Sequence, residues 1–339
     1  MRYPILCCIA LAACGQANIS LGPDLGSVDC APIPDVPPTW PATTGEQGVL
    51  RFSWDSFVGQ TLDRPLATGS HVHLSASPVS PAGATMIHQI SDNFDVASTA
   101  EQTPNGTVTV FGHKAGTARI LAYDDNNTLL DAVTITVADV DDLAFAGPWH
   151  GDLGPEVVVG TTERMRIQLF HGTTELVGWG ATTFAFDSPI ESSWESLAPI
   201  ELLPGTEEVF FVATLDGPGT ITATAGSATT RQRVNAVSIH AIGHIDFVVK
   251  PGSDCHRRKV TATLRNGTEP VFGPACTWLV PNETVRMTEG SVDGWADTGG
   301  WPGDHPDKQY AFYAAEPGVH AMQCVLPGGL TVPLTIEVE

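Results

Sequence analysis

Positive charge is what this sequence most lacks. Only 16 of its 339 residues are Lys or Arg, against 38 Asp or Glu, giving a formal net charge of -22. A surface of that sign repels phosphate backbones and anionic bilayer faces, so nucleic acid is excluded as a partner. Charged residues of both signs make up 16% of the chain and aromatics 7%. Beyond the N-terminus no apolar run approaches the roughly 20 residues that a membrane-spanning helix needs. Also missing are Gly-x-Ser-x-Gly, His-Glu-x-x-His and a phosphate-binding glycine loop, so the chain reads as non-enzymatic and without a cofactor. The 11 histidines are scattered. His71 and His73 lie two apart, on one face of an expected strand, and read as solvent-facing strand residues. What is plentiful is Gly (34) and Pro (26), the balance of a turn-rich β protein. The length suits two or three domains, each able to bury its own core.

The N-terminus stands apart from this pattern. Arg2 followed by the apolar run from Tyr3 to Leu11 has the shape of an export signal. Leu11-Ala12-Ala13-Cys14 resembles the bacterial lipobox, in which small residues admit the signal peptidase and the Cys thiol receives diacylglycerol. The resemblance implies a lipoprotein signal over residues 1–14, lipid attachment at Cys14, and a membrane as partner through that lipid. Gly15, where an Asp would retain the protein at the inner membrane, implies an outer-membrane address facing the periplasm or the cell surface. An ordinary signal peptide cut after a small residue is the alternative. From Gly15 to Gln47 there is no apolar period, and Pro23, Pro32, Pro34, Pro37, Pro38 and Pro41 punctuate the chain. This segment reads as a tether with a reach between roughly 30 and 100 Å.

After the tether the period becomes two. Leu50, Phe52 and Trp54 alternate with Arg51 and Ser53, and Val72, Leu74 and Ala76 with His71, His73 and Ser75, as on half-buried strands. An internal repeat sets the domain count. The turn Ala115-Gly116-Thr117 corresponds to Pro218-Gly219-Thr220 and to Pro317-Gly318-Val319. Terminal strands at Val133–Val137, Val237–Ala241 and Leu334–Val338 begin 17, 18 and 16 residues after those glycines. A second match lays Thr174 to Phe184 over Thr268 to Trp278, so that Phe184 and Trp278 are expected to share one core position. Asp95-Val96-Ala97-Ser98, Gly106-Thr107-Val108 and Lys114-Ala115-Gly116-Thr117-Ala118 resemble the group 2 bacterial immunoglobulin-like repeats. The resemblance implies an all-β chain of three tandem immunoglobulin-like β-sandwiches at 48–138, 139–241 and 242–339. Such repeats serve as spacers, adhesin stalks and enzyme appendages, so they leave the ligand open.

Four cysteines remain beyond the lipobox: Cys30, Cys255, Cys276 and Cys324. In the sandwich reading the start of strand C lies beside the end of strand F, which favours a Cys276–Cys324 bridge; Cys255–Cys324 is the rival pairing. Two further patterns carry chemistry. Asp139, Asp141 and Asp142 gather hard carboxylate oxygens at the first domain junction and suit calcium, with solvated surface charge as the plain alternative. Trp295 and Trp301, with Asp297 between them on a Gly-rich loop, suit stacking against a sugar ring, with folded-back tryptophans as the alternative. The functional reading is a lipid-anchored envelope or surface protein with a structural, adhesive or binding role toward an unidentified surface protein or polysaccharide. A carbohydrate-binding or enzyme-associated module is the second reading.

Overall fold

A computed structural model describes residues 19–21, 42–54, 61–79, 88–100, 103, 106–146, 155–193, 206–252, 256–280, 285–293 and 306–338. Alternation in the sequence becomes alternation in space. The strand His71–Pro78 turns Val72, Leu74 and Ala76 into a core and leaves His71, His73 and Ser75 partly open, because successive side chains on a strand point to opposite faces. Among the described residues every regular element is a strand except one 3-10 turn at Ile239–Ala241. No described helix is long and apolar enough to cross a membrane. The architecture is all-β, built of immunoglobulin-like sandwiches.

The chain divides into two compact units, Pro34–Ala236 and Val237–Glu339, the latter grouped with Met1–Ile33. Strands are numbered from β1 (Ile19–Leu21), which belongs to the second unit. In the first sandwich β2 (Thr43–Thr44), β3 (Leu50–Trp54), β5 (His71–Pro78), β8 (Thr107–Gly112) and β7 (Ala97–Ala100) form one sheet in that order. The other sheet runs β4 (Leu66–Ala67), β10 (Leu129–Ala138), β9 (Gly116–Tyr123), β6 (His88–Ser91). Phe52, Trp54, Leu74, Ile120 and Ile135 fill the space between them and are fully buried. In the second sandwich β11 (Asp142–Ala146), β13 (Thr162–His171), β17 (Thr206–Ala213) and β16 (Ile190–Ser192) form one sheet, with β14 (Thr174–Glu175) also on β13. Its other sheet contains β12 (Glu156–Val158), β19 (Ala228–Val237), β18 (Gly217–Ala225) and β15 (Thr183–Asp187).

The second unit pairs β20 (His244–Pro251) with β21 (Arg257–Asn266). Strand β21 continues to β22 (Glu269–Phe272) and to β25 (Asp307–Ala314), which carries β24 (Val285–Asp293). Opposite these lie β23 (Thr277–Leu279), β26 (Gly318–Val325) and β27 (Thr331–Val338). Within residues 15–47, the expected tether, two stretches are paired: Thr43–Thr44 lies antiparallel to β3, and Ile19–Leu21 lies parallel to β20.

The sequence repeat is the terminal hairpin of each sandwich, with one correction. Gly116 pairs with Val137, Gly217 with Ala236 and Gly318 with Val338, and these three glycines have φ of +154°, +130° and +130°. The equivalent residue in the second sandwich is therefore Gly217 and not Gly219. Positive φ selects glycine, since a Cβ is strained there. The same shift moves the expected strand at Val237–Ala241. Strand β19 ends at Val237, and Ile239–Ala241 is the 3-10 turn, capped by the Ser238 hydroxyl accepting the His240 N–H. Counting from the corrected glycines, Phe184 and Trp278 stand at one position, opposite Ala223 and Cys324, and both are half-buried, not fully enclosed in a core as expected. In the first sandwich the buried Gln89, opposite Ala122, takes that place and donates to the Gly106 carbonyl.

One buried carboxylate locks the entry to the first sandwich. Asp131 on β10 is fully buried and accepts N–H bonds from Gln47, Val49, Leu50 and Ala132, each at 2.8 Å. Burial pushes its carboxyl up, but the amides of Gln47, Leu50, Ala132 and Val49 outweigh burial and hold it below the ordinary range. A depressed folded pKa makes this stabilisation complete above about pH 4 and lost as pH falls through the folded value. Asp131→Asn replaces one acceptor oxygen by an NH2 facing amide donors. It is expected to lose about 2–3 kcal/mol at pH 7, with the gap to wild type closing in acid, as measured by urea unfolding at pH 7 and pH 3.

Candidate functional site

The feature that distinguishes this chain from a plain string of sandwiches is the joint inside the Pro34–Ala236 unit. A short segment of the second sandwich, Leu176-Val177-Gly178-Trp179-Gly180, leaves β14 and enters the first. Val177 (0% exposed) and Trp179 (6%) belong to the core that contains Phe52, Trp54 and Leu74. Backbone bonds fix the insertion. Ala67 N–H donates to the Val177 carbonyl and Val177 N–H to that of Pro65, both at 2.8 Å, while His71 and Trp179 exchange bonds of 2.9 and 2.8 Å. The segment thus completes the first sandwich as an extra strand would, using the edge groups of β4 and β5.

Glycine makes the approach possible. Gly178 has φ +122°, and a Cβ there would run into the buried Ser70 hydroxyl and Leu66. On the other side the second sandwich grips the same segment through Glu207 of β17. Its buried carboxylate accepts the N–H of Ala181 at 2.6 Å and of Thr182 at 3.0 Å. Burial pushes this carboxyl above the ordinary range, with the amides of Thr182, Ala181 and Gly180 opposing it only in part. Arg64 and Glu175 add an ion pair of 3.0 Å.

His71 and His73, expected to face solvent, flank the inserted ring. His71 stacks on Phe111 at 5.5 Å and meets Trp179 edge-on at 6.1 Å, and His73 meets it at 6.2 Å. Both rings are partly covered because the second sandwich supplies Trp179, a neighbour that no local pattern shows. The connecting chain is equally bound in. Ala138 and Val140 are buried, Ala138 pairs with Ala67, and Asp141 N–H donates to the Phe170 carbonyl.

The acidic residues of this junction turn to separate partners. Asp139 accepts the Thr68 hydroxyl at 2.9 Å, Asp141 accepts the Gly172 N–H and lies 3.2 Å from His171, and Asp142 accepts the Leu143 N–H. Among the described residues no three His, Cys, Asp or Glu side chains are placed to hold a metal ion. Cys276 and Cys324 form a disulfide. Beside it Trp278 meets Tyr310 and Phe312 edge-on at 5.1 and 5.0 Å, and Cys276 N–H donates to the Tyr310 hydroxyl. Cys14, Cys30, Cys255, Trp295, Asp297 and Trp301 lie outside the described residues.

What this site offers is mechanical. Its groups are backbone amides, an indole, two imidazoles, the amide-engaged Glu207 carboxylate and the Arg64–Glu175 ion pair, and together they join two sandwiches within one compact unit. Val177, Trp179 and Glu207 were not singled out by sequence reasoning. The signal that could have found them is Val177-Gly178-Trp179-Gly180, an aromatic set between two glycines that are not needed for a hairpin.

No protein-family model matches the chain, and no curated protein matches it. Solved structures give likenesses of low identity. Domains 1-6 of the surface layer protein SbsC are 17% identical with a TM-score of 0.33, covering 88% of this chain and 40% of that one. The Escherichia coli adhesin FdeC is 13% identical with a TM-score of 0.23, covering 88% of this chain and 100% of that one. A glycosyl hydrolase family 2 member from Bacteroides cellulosilyticus is 10% identical with a TM-score of 0.21, covering 50% and 23%. The chain spans less than half the length of the SbsC structure of domains 1-6.

Proposed function

We propose that this chain is an exported envelope or surface protein, held to a membrane by lipid on Cys14, whose sandwiches act as a non-catalytic spacer and binding scaffold. The observation that carries the proposal is Leu11-Ala12-Ala13-Cys14 directly after Arg2 and a short apolar run. Two or more acyl chains give stable anchoring. The joint at Trp179 supports the scaffold role, because a spacer that transmits position must not bend freely between its parts, and interfaces between domains ordinarily allow such motion.

Detergent partition tests the anchor. Wild-type protein is expected in the detergent phase and the Cys14→Ala variant in the aqueous phase or uncleaved. Equal partition of the two would remove the lipid from the account.

A further inference from the structure

We propose that the outer edge of β20 is a dock for the chain's own N-terminal segment, and that this dock holds the C-terminal sandwich beside the lipid-bearing membrane surface. The membrane half of this rests on lipid attachment at Cys14; the dock itself does not. One edge of β20 is taken by β21, and β1 lies along the other. Ile19 pairs with Phe247, Ser20 with Val248 and Leu21 with Val249, in parallel. Without that partner the backbone groups along Phe247 to Val249 would form an open sheet edge, next to the exposed Val248 side chain.

The sequence around β1 is suited to pairing. Residues Gly15 to Gly22 contain no proline, whereas Pro23 opens a stretch that also holds Pro32, Pro34, Pro37, Pro38 and Pro41. A proline has no N–H to give to a ladder, and from Gly15 to Gly22 every residue of β1 and its neighbours keeps its backbone donor. Position then follows from chain length. Ile19 stands five residues after Cys14, a span of at most about 17 Å when fully extended. The β20 edge of the C-terminal sandwich, where Ile19 pairs with Phe247, is thereby held near the acylated cysteine. Charge does not do this work: a net charge of -22 is repelled by an anionic leaflet. A strand that joins sheet to anchor opposes the repulsion at short range.

The test uses full-length lipidated protein in phosphatidylglycerol-containing vesicles. Hydrogen exchange over residues 244–251 is compared between wild type, Ser20→Pro, and Ile19→Pro with Leu21→Pro; together these variants remove the donors of either pairing parity. In parallel, a phospholipid with a photo-crosslinker in its headgroup reports which peptides lie near the bilayer. Exchange in β20 is expected to rise about tenfold or more in at least one proline variant, and crosslinks to 244–251 are expected in wild type and lost in that variant. Unchanged exchange in both variants would overturn the dock. Raised exchange without wild-type crosslinks would overturn the membrane half while leaving the dock. Wild-type protein that fails to attach to vesicles would defeat the lipid reading and the membrane half with it, and exchange would still decide the dock.

Discussion

Trp179→Ala is expected to cost about 3–5 kcal/mol, the range for removing a large aromatic from a core, and to split one melting transition into two. The ring is 6% exposed and sits in the core of the first sandwich, although its own strands belong to the second. Truncation therefore leaves a cavity in one sandwich and removes an apolar contact, beside that of Val177, that joins it to the other. Calorimetry of the full chain should show the Pro34–Ala236 unit melting as one body in wild type and as two in the variant. Trp179→Phe, which keeps most of the buried ring, should stay close to wild type. Gly178→Ala should match the loss by a different route, since its φ of +122° and the approach of Ser70 both oppose a Cβ. Combining it with Ser70→Gly is expected to restore only part of the loss, because the strained φ remains. The joint also changes where protease should act. A domain boundary at 138/139 invites cleavage near Ala138 to Leu143, but that backbone is paired and partly buried. Cleavage there is expected in Trp179→Ala and not in wild type. A single unchanged transition in Trp179→Ala would show that the insertion contributes little.

Removal of the Cys276–Cys324 disulfide carries the second large effect. The bridge closes a loop with a sequence separation of 48, for which chain entropy gives about 4 kcal/mol. Cys324 is fully buried while Cys276 is half-buried beside Tyr310, so both should be changed to Ala to avoid burying a new polar group. The loss is expected in the Val237–Glu339 unit alone, and dithiothreitol should reproduce it in wild type. An equal loss in the transition assigned to Pro34–Ala236 would contradict the division into units.

Most of the fold was legible because strand periodicity is local. His71–Pro78 and Thr331–Val338 alternate in sequence as they do in burial. The hairpin glycines were legible for the same reason, except where Gly217-Pro218-Gly219 offered two. Positive φ marks Gly217 as the hairpin residue, while Gly219 is small because a Cβ would meet Ile190 at 2.5 Å; the two demands look alike in a sequence. The joint was not legible. Val177 and Trp179 find their partners at Pro65, Ala67 and His71, far back in the chain, and nothing periodic announces such a contact. The pairing of Ile19–Leu21 with β20 was hidden for the opposite reason, since three residues are too few to display alternation. Cys14, Trp295, Asp297 and Trp301 were singled out by chemistry and not by periodicity, and they lie outside the described residues.

Attachment of the mature protein to a membrane through Cys14 is read from the mass of its N-terminal peptide. Protein extracted from membranes should begin at Cys14 and carry a diacylglycerol thioether on that residue. An unmodified Cys14 thiol, or a mature chain beginning at any other residue, would contradict the account.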